Sequence, residues 1–389
     1  MPQLKVVIIG GGVGGLTAAI ALRQHPALHV ELYEQATSFR EIGALIGLAP
    51  NGLRTLEKLG VEDVLTDEIG FRNPDPIPMI YKHWKTGDTL SADKYHNVPE
   101  KRHQMARMHR ASLQKALLKK LPSDVLHLGK RVVDVDVSDE RRVIVTFEDS
   151  TSVAADLVIG ADGIKSVSFS PVGLAVKYGK DEFGVTCSFP VNDQDPDAPF
   201  QDLVWNAPAD VQTVQEAFKD FNPLVRAIAA RIPSVRRYAN VAGAGLKHWT
   251  FSNRVTLLGD AAHTHGGAFA AGASLAIDDA YALYLALSTT IQTSAEVSPE
   301  RLAYALSLYE TTRRPQSDRV LRVVHGMITD HRGRMGRFWE EGVEEPDEEF
   351  RQRVAARLDP VWLTEHDVEK TFEKVLTASR EVGVEVARL

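Results

Sequence analysis

Residues 4–9, Leu-Lys-Val-Val-Ile-Ile, are apolar almost without a break and rich in β-branched side chains. Such a run predicts a strand buried on both faces, as in a parallel sheet. From residue 16 to 23 the period lengthens, and Leu16, Ala19 and Ile20 fall on one side of a helix. Residues 29–33 predict a second strand that ends in Glu34, residues 153–160 a third, and residues 254–258 a short buried fourth. Residues 184–189 read as a strand, and residues 214–232 as a helical stretch interrupted at Asn222-Pro223. A further helix runs from Ser274 onward. Another begins at Ser298-Pro299-Glu300, with Ser as the cap and Pro at the first helical position. It is expected to reach Arg314, with a kink or restart at Pro315. Beyond Gly336 the chain is acidic, then amphipathic over residues 365–376. No strand is recognisable in residues 167–180, and no internal repeat occurs.

Between the first strand and its helix stands Gly10-Gly11-Gly12-Val13-Gly14-Gly15, with glycines at the first, third and sixth positions of GxGxxG. Gly10 permits a tight turn, Gly12 lets a pyrophosphate approach the backbone, and Gly15 lets helix and strand pack closely. Val13 and Gly14 complete the motif, and the N-terminus of the following helix offers free amides to a phosphate. Glu34 accepts from ribose hydroxyls at the end of the second strand, next to Gln35. Strand, glycines, helix, strand and terminal acid in this order point to a Rossmann-type dinucleotide site. No second complete GxGxxG unit is present, so a separate nicotinamide-nucleotide domain is not expected.

Later motifs narrow the nucleotide. Residues 153–160 deliver Gly160-Ala161-Asp162-Gly163, and residues 254–258 deliver Gly259-Asp260-Ala261-Ala262-His263. Gly266-Gly267-Ala268-Phe269-Ala270-Ala271-Gly272 then leads into a helix. With Phe39-Arg40-Glu41-Ile42-Gly43-Ala44, Pro50-Asn51-Gly52-Leu53, His109-Arg110-Ala111-Ser112-Leu113 and Tyr309-Glu310-Thr311-Thr312-Arg313-Arg314-Pro315, the chain resembles the FAD-dependent aromatic hydroxylases, and most closely salicylate-hydroxylase-like members. The resemblance covers most of the chain to about Arg332. It implies an α/β fold like that of p-hydroxybenzoate hydroxylase: a Rossmann-type FAD-binding domain with an inserted β-sheet substrate domain and C-terminal helices. The FAD domain would comprise residues 1–73, 100–166 and 250–332. The substrate domain would comprise residues 74–99 and 167–249, as one sheet over the flavin, and residues 333–389 would form a helical tail. By position, Glu34 would bind the adenosine ribose, and Arg40 and Arg110 the ribose or pyrophosphate region. Asp162 would serve FAD and the nicotinamide cofactor together. Gly259 and Asp260 would hold the ribityl or pyrophosphate portion, and the helix starting at Gly272-Ala273 would point its positive end at the flavin pyrimidine ring.

The implied reaction consumes NAD(P)H, O2 and a small aromatic substrate, and passes through a flavin hydroperoxide. A base near neutral pKa would help to deprotonate a phenol, and histidine suits that task. His265 is the first candidate, and His263 reads as a packed structural residue. Cys187, Arg237 and Tyr238 are the substrate-binding candidates. Arg236 competes with Arg237, but adjacent residues of an extended segment face opposite ways. Trp205 and Trp249 are aromatic walls or core.

Composition excludes other classes. Of 389 residues, 44% are hydrophobic and 25% charged, as in an ordinary globular protein. The net charge of −7, without a dense basic run, argues against nucleic acid as a partner. The apolar stretch at residues 4–22 is better explained by its glycine turn than by a membrane. Cys187 is the only cysteine, so no intrachain disulfide forms. The first residues lack a secretory signal, which suggests a cytoplasmic protein, while Ala387-Arg388-Leu389 loosely resembles a peroxisomal address. Oligomeric state is unreadable here. Two features depart from the family pattern. Residues 166–259 are short for a substrate region, and Gly266-Gly267 occupies a neighbourhood where the family often places proline, so that a more flexible loop is expected. They leave an alternative open, an uncoupled NAD(P)H oxidase or a noncatalytic FAD-binding protein. A flavin-dependent halogenase is disfavoured, because no tryptophan-rich motif or convincing catalytic lysine is present.

Overall fold

The computed structural model describes residues 4–39, 45–139, 141–163, 172–177, 183–188, 207–238, 242–266, 268–292, 297–329 and 345–381. The chain begins with β1 (Leu4–Ile9), α1 (Val13–Leu22), β2 (Leu28–Glu34), β3 (Leu45–Leu48) and α2 (Pro50–Lys58). There follow β4 (Ile80–Lys82), β5 (Thr89–Ala92), β6 (Ala106–His109), α3 (Arg110–Leu118) and β7 (Leu126–Leu128). Next come β8 (Val132–Asp136), β9 (Val143–Phe147), β10 (Ser152–Ala155), β11 (Leu157–Gly160), β12 (Val172–Lys177), β13 (Phe183–Ser188) and β14 (Ala207–Ala209). Then come α4 (Val211–Ala217), α5 (Pro223–Ala229), β15 (Val235–Arg237), β16 (Thr250–Phe251), β17 (Val255–Leu257) and α6 (Asp260–His263). The described residues end in α7 (Gly272–Thr290), α8 (Pro299–Thr329), α9 (Asp347–Ala355), α10 (Val361–Thr364) and α11 (Val368–Glu381).

One six-stranded sheet, in the order β16-β17-β11-β1-β2-β7, organises the molecule. Every pairing in it is parallel except β16 with β17. Val6, Val7 and Ile8 of β1 are fully buried because the sheet is covered twice. On one face lie α1, α3 and α7, packed into the main apolar core. On the other lies the antiparallel ladder β8-β9-β10, whose Val143, Val145 and Phe147 meet Val7, Tyr33 and Val158. With helix packing all round it, α1 is apolar on every side. No helix among the described residues is long and apolar enough to cross a membrane.

Four expectations are corrected. Residues 153–160 are two strands in two sheets. The chain breaks at Asp156, whose carboxylate accepts the Lys5 N–H at 2.8 Å while its own N–H donates to the Lys5 carbonyl. Both halves are apolar because both pack around the same core. The α8 helix does not end at Arg314 but continues past Pro315 to Thr329. Proline removes one helical bond, to the carbonyl of the exposed Thr311, which water can satisfy, while the buried Tyr309, Arg313 and Ser317 anchor the inner face. A strand, β12, lies within 172–177 and pairs along its whole length with β13. Gly173 and Ala175 stand where alternation would show polar residues, which hid it. Finally, the described strands of the two insertions form no common sheet: β4 pairs with β5, β12 with β13, and β14 with β15. The insertions meet instead through Trp84 and Phe221, edge to face at 5.6 Å, and through the Asn222 N–H on the Trp84 carbonyl.

Candidate cofactor and active site

Because β1, β11 and β17 are parallel and adjacent, with Ile9 beside Gly160 and Gly160 beside Leu257, their three C-terminal ends open on one edge of the sheet. Such an edge is where open α/β sheets bind ligands. Gly10 adopts φ +108°, and a Cβ there would lie 2.4 Å from the Ala161 carbonyl oxygen. At Gly15 a Cβ would strike the Gly10 oxygen at 2.0 Å, so helix and turn are in direct backbone contact. Gly12 differs. A Cβ there would meet only the Ala161 oxygen, at 3.9 Å, and no side chain caps the helix it begins. The first-turn amides of Val13 and Gly14 therefore border open space. Glu34 sits across the turn, with one carboxylate oxygen accepting the Gly11 N–H at 2.6 Å and the other the Ala36 N–H at 2.8 Å. A carboxylate has about four acceptor sites, so lone pairs remain for a ribose. Gln35 and Asp162 are exposed at the same edge.

The third strand end carries Gly259 at φ +60°, followed by Asp260. Asp260 keeps surface open to solvent although protein surrounds its carboxyl, as on the wall of a recess. That crowding raises its pKa above the ordinary carboxyl value, against the pull of His263 and Arg110. Arg110, exposed at the first position of α3, is thus brought to the same recess as Asp260. The start of α7 closes it. Gly272 lies near Asp260, no side chain caps the helix, and Ala273 packs partly against the core. Just before it, Phe269 and Ala270 adopt φ +58° and +51°, strained for residues with a Cβ, and Ala270 backs onto β3 at Gly47. Gly266 of the same loop adopts φ +66°, and Gly267 lies outside the described residues.

Beneath this recess runs a buried polar network that the sequence reading missed. Asp279 of α7 accepts the Gly259 N–H at 2.9 Å, lies 2.5 Å from His263 Nε2, and accepts from Arg313 Nε at 2.7 Å. Burial disfavours its charge, but His263 and Arg313 override that and hold its pKa well below the usual range. Neighbouring Asp278 accepts from Asn51 Nδ2 and Thr55 Oγ1 of α2, and burial raises its pKa. The signal was available: two adjacent acids in an otherwise apolar helix must be buried, and buried carboxylates need partners.

His265 is corrected as a candidate base. It is buried, with Nδ1 3.3 Å from His263 Nδ1 and Nε2 beside the Ser317 hydroxyl at 3.2 Å. Burial, then the charge of His263, push its pKa down to about 3, so the ring stays neutral and enclosed. His263 is packed structure, 5.0 Å from the Trp249 ring, and Trp249 is itself core. Arg237 and Tyr238 are half-buried at the end of β15, whereas Arg236 is exposed. Cys187 lies on β13 opposite Gly173, but its side chain, together with Arg40 and Trp205, lies outside the described residues.

A family model described as FAD binding domain matches residues 3–214 and 211–324. The chain belongs to this family of FAD-dependent aromatic hydroxylases. It is 28% identical over 425 residues to a salicylate hydroxylase of Pseudomonas putida, covering 95% of this chain and 93% of that protein. It is 27% identical over 362 residues to a 6-hydroxynicotinate 3-monooxygenase of Pseudomonas fluorescens, covering 82% and 90%. Its fold matches that of a salicylate hydroxylase solved as a substrate complex, with a TM-score of 0.74 at 20% identity over 96% of this chain and 98% of the other. The hydroxylase is therefore an FAD-dependent monooxygenase with the p-hydroxybenzoate-hydroxylase-like α/β fold. The open face at Gly12 and the Arg110–Asp260 recess fit its dinucleotide.

Proposed function

We propose that this hydroxylase inserts one oxygen atom of O2 into a phenolic or aromatic carboxylic acid at the expense of NAD(P)H. The observation that carries the reading is the meeting of Gly12, Asp162, Asp260 and the start of α7 at one sheet edge, with Arg110 beside them. The Gly12 turn and Arg110 would hold the pyrophosphate, Glu34 the adenosine ribose, and Asp260 the ribityl or pyrophosphate portion. The uncapped N-terminus of α7 would lie toward the flavin ring system and favour negative charge there. Bound FAD supplies hydride acceptance and oxygen activation. The chain's own task is to orient the aromatic acid and exclude water, with Arg237 as carboxylate anchor and Tyr238 beside it. His265, neutral and enclosed, takes no proton from substrate.

The short substrate region, residues 166–259, favours a second reading, an oxidase that releases peroxide. One experiment decides between them. FAD-reconstituted protein is followed for NADH and NADPH consumption and for peroxide, with and without salicylate and related phenolic acids. Acceleration by an aromatic acid with little peroxide and a hydroxylated product supports hydroxylation. Stoichiometric peroxide with every compound would leave only the oxidase.

A further inference from the structure

Residues 345–365 pack Leu363 and Trp362 into one apolar cluster with Ala271, Leu275 and Phe269 around the start of α7, while their charged side chains gather on the first insertion. The Glu365 carboxylate accepts the His96 and Asn97 N–H groups at 2.7 and 2.6 Å, and its carbonyl accepts from Arg54 of the cofactor domain at 3.1 Å. Arg357 makes a nearly buried ion pair with Asp93 and stacks on the Tyr81 ring at 3.8 Å. Asp347 lies 2.6 Å from the buried His83, and Phe350 sets its edge against the same imidazole at 5.2 Å. The aromatic contacts do not stop there. His83 stacks on Trp84 at 6.0 Å, Trp84 meets Phe221 at 5.6 Å, and Phe221 meets Phe218 at 4.7 Å. Asn222 ties the same junction twice, its backbone N–H and its side-chain Nδ2 both donating to the Trp84 carbonyl, while its side-chain oxygen caps α5. Phe218 belongs to the small core of Val214 and Ala229, against which Val235 packs. Val235 begins β15, the strand that carries Arg237 and leads into Tyr238.

We propose that residues 345–365 are a positioning strap for the substrate side: through Phe350 and the ladder His83–Trp84–Phe221–Phe218 they hold α4, α5 and β15 in place over the cofactor domain. Coupling of this kind travels through contiguous packed side chains, and here each link is a direct contact. Two grips resist its release. Glu365 pins the strap between α2 and the base of the first insertion, and Arg357 cannot leave Asp93 without stranding a charge in a poorly solvated place. Phe350 is a positioning residue and touches no ligand. The catalytic consequence rests on the proposed hydroxylase reading; the mechanical claim does not.

Amide hydrogen exchange on the full chain with bound FAD tests the strap without reference to turnover. In Phe350→Ala, the amides of α4 and α5 should exchange about tenfold faster while those of β1 and α7 keep their protection. Phe350→Leu, which keeps most of the volume, should restore much of the difference. In Glu365→Gln, the same acceleration should appear at His96 and Asn97. For turnover, Phe350→Ala should raise the KM for the aromatic acid and the share of NADH lost to peroxide, with FAD affinity unchanged. Unaltered exchange over 211–229 in a folded Phe350→Ala protein would overturn the proposal. So would a loss spread evenly over β1 and α7, which is what general destabilisation gives. Should Phe350→Ala not fold, Phe350→Leu and Glu365→Gln carry the test by the same criteria. If the wild-type protein shows no aromatic-stimulated turnover, the hydroxylase reading falls and the exchange result alone judges the strap.

Discussion

Asp279→Asn is the most informative perturbation of the cofactor recess. The substitution keeps shape, so cavity terms drop out and charge alone changes. Arg313 would remain fully buried with its main counter-charge gone, and its Nη1 already lacks a hydrogen-bond partner. Removing one partner of a buried pair costs about 3–5 kcal/mol. At roughly 2 °C per kcal/mol for a chain of this size, the melting temperature should fall on the order of 5–10 °C. The effect should also reach FAD. Gly259 loses a charged acceptor, worth about 1.5–3 kcal/mol, and Asp260 is the next residue, so the Kd for FAD should rise about tenfold or more. Scanning calorimetry and a fluorescence titration of FAD would measure the two. Adding Arg313→Met to Asp279→Asn removes the stranded guanidinium, keeps an amide oxygen for the Gly259 N–H, and should recover much of the melting loss. An Asp279→Asn protein that melts within about 1 °C of wild type and binds FAD equally well would refute the argument, because the charge would then be uncoupled from the recess.

The glycine turn separates space from fold. Gly12→Ala should leave the melting temperature of the apoprotein nearly unchanged and weaken FAD binding, whereas Gly15→Ala, aimed at the Gly10 carbonyl, should destabilise the apoprotein itself; melting curves and FAD titration distinguish them. Arg110→Ala should weaken FAD by about tenfold and lower the pull on Asp260, and an unchanged FAD titration would place the arginine outside the site. His265 makes stability depend on pH. Unfolded, it takes up a proton below its ordinary value of 6.5; folded, it does so only near 3. The unfolded state therefore binds more protons in that window, and stability falls by about 1.4 kcal/mol per pH unit as pH drops from 6.5 toward 3. His265→Asn should flatten this slope in urea melts at pH 7, 6 and 5, leaving the smaller contribution of His366, whose pKa burial pushes down to about 4. Parallel slopes in the two proteins would contradict the burial account.

What could be read directly from the chain was local: β1, the glycine turn, α1, β2 and Glu34 follow from a change of apolar period and from backbone geometry at fixed spacing. The same holds for Gly259-Asp260 at the end of a short apolar strand, and for the helix after Gly272. Tertiary packing decided the rest. The break at Asp156 depends on a bond to Lys5, far away in sequence, and α8 passes Pro315 because its inner face is anchored elsewhere. His265 looked like a base because histidine in a glycine-rich loop ordinarily stays wet, and only the approach of Ser317 and His263 shows it neutral and enclosed. Asp279 is the converse. An acid in an apolar helix announces a partner, but which one depends on how α6, α7 and α8 meet. Spacing along the chain determines the turns that hold a dinucleotide; the neighbours of a buried charge belong to the fold, since desolvation and pairing are set by groups distant in sequence.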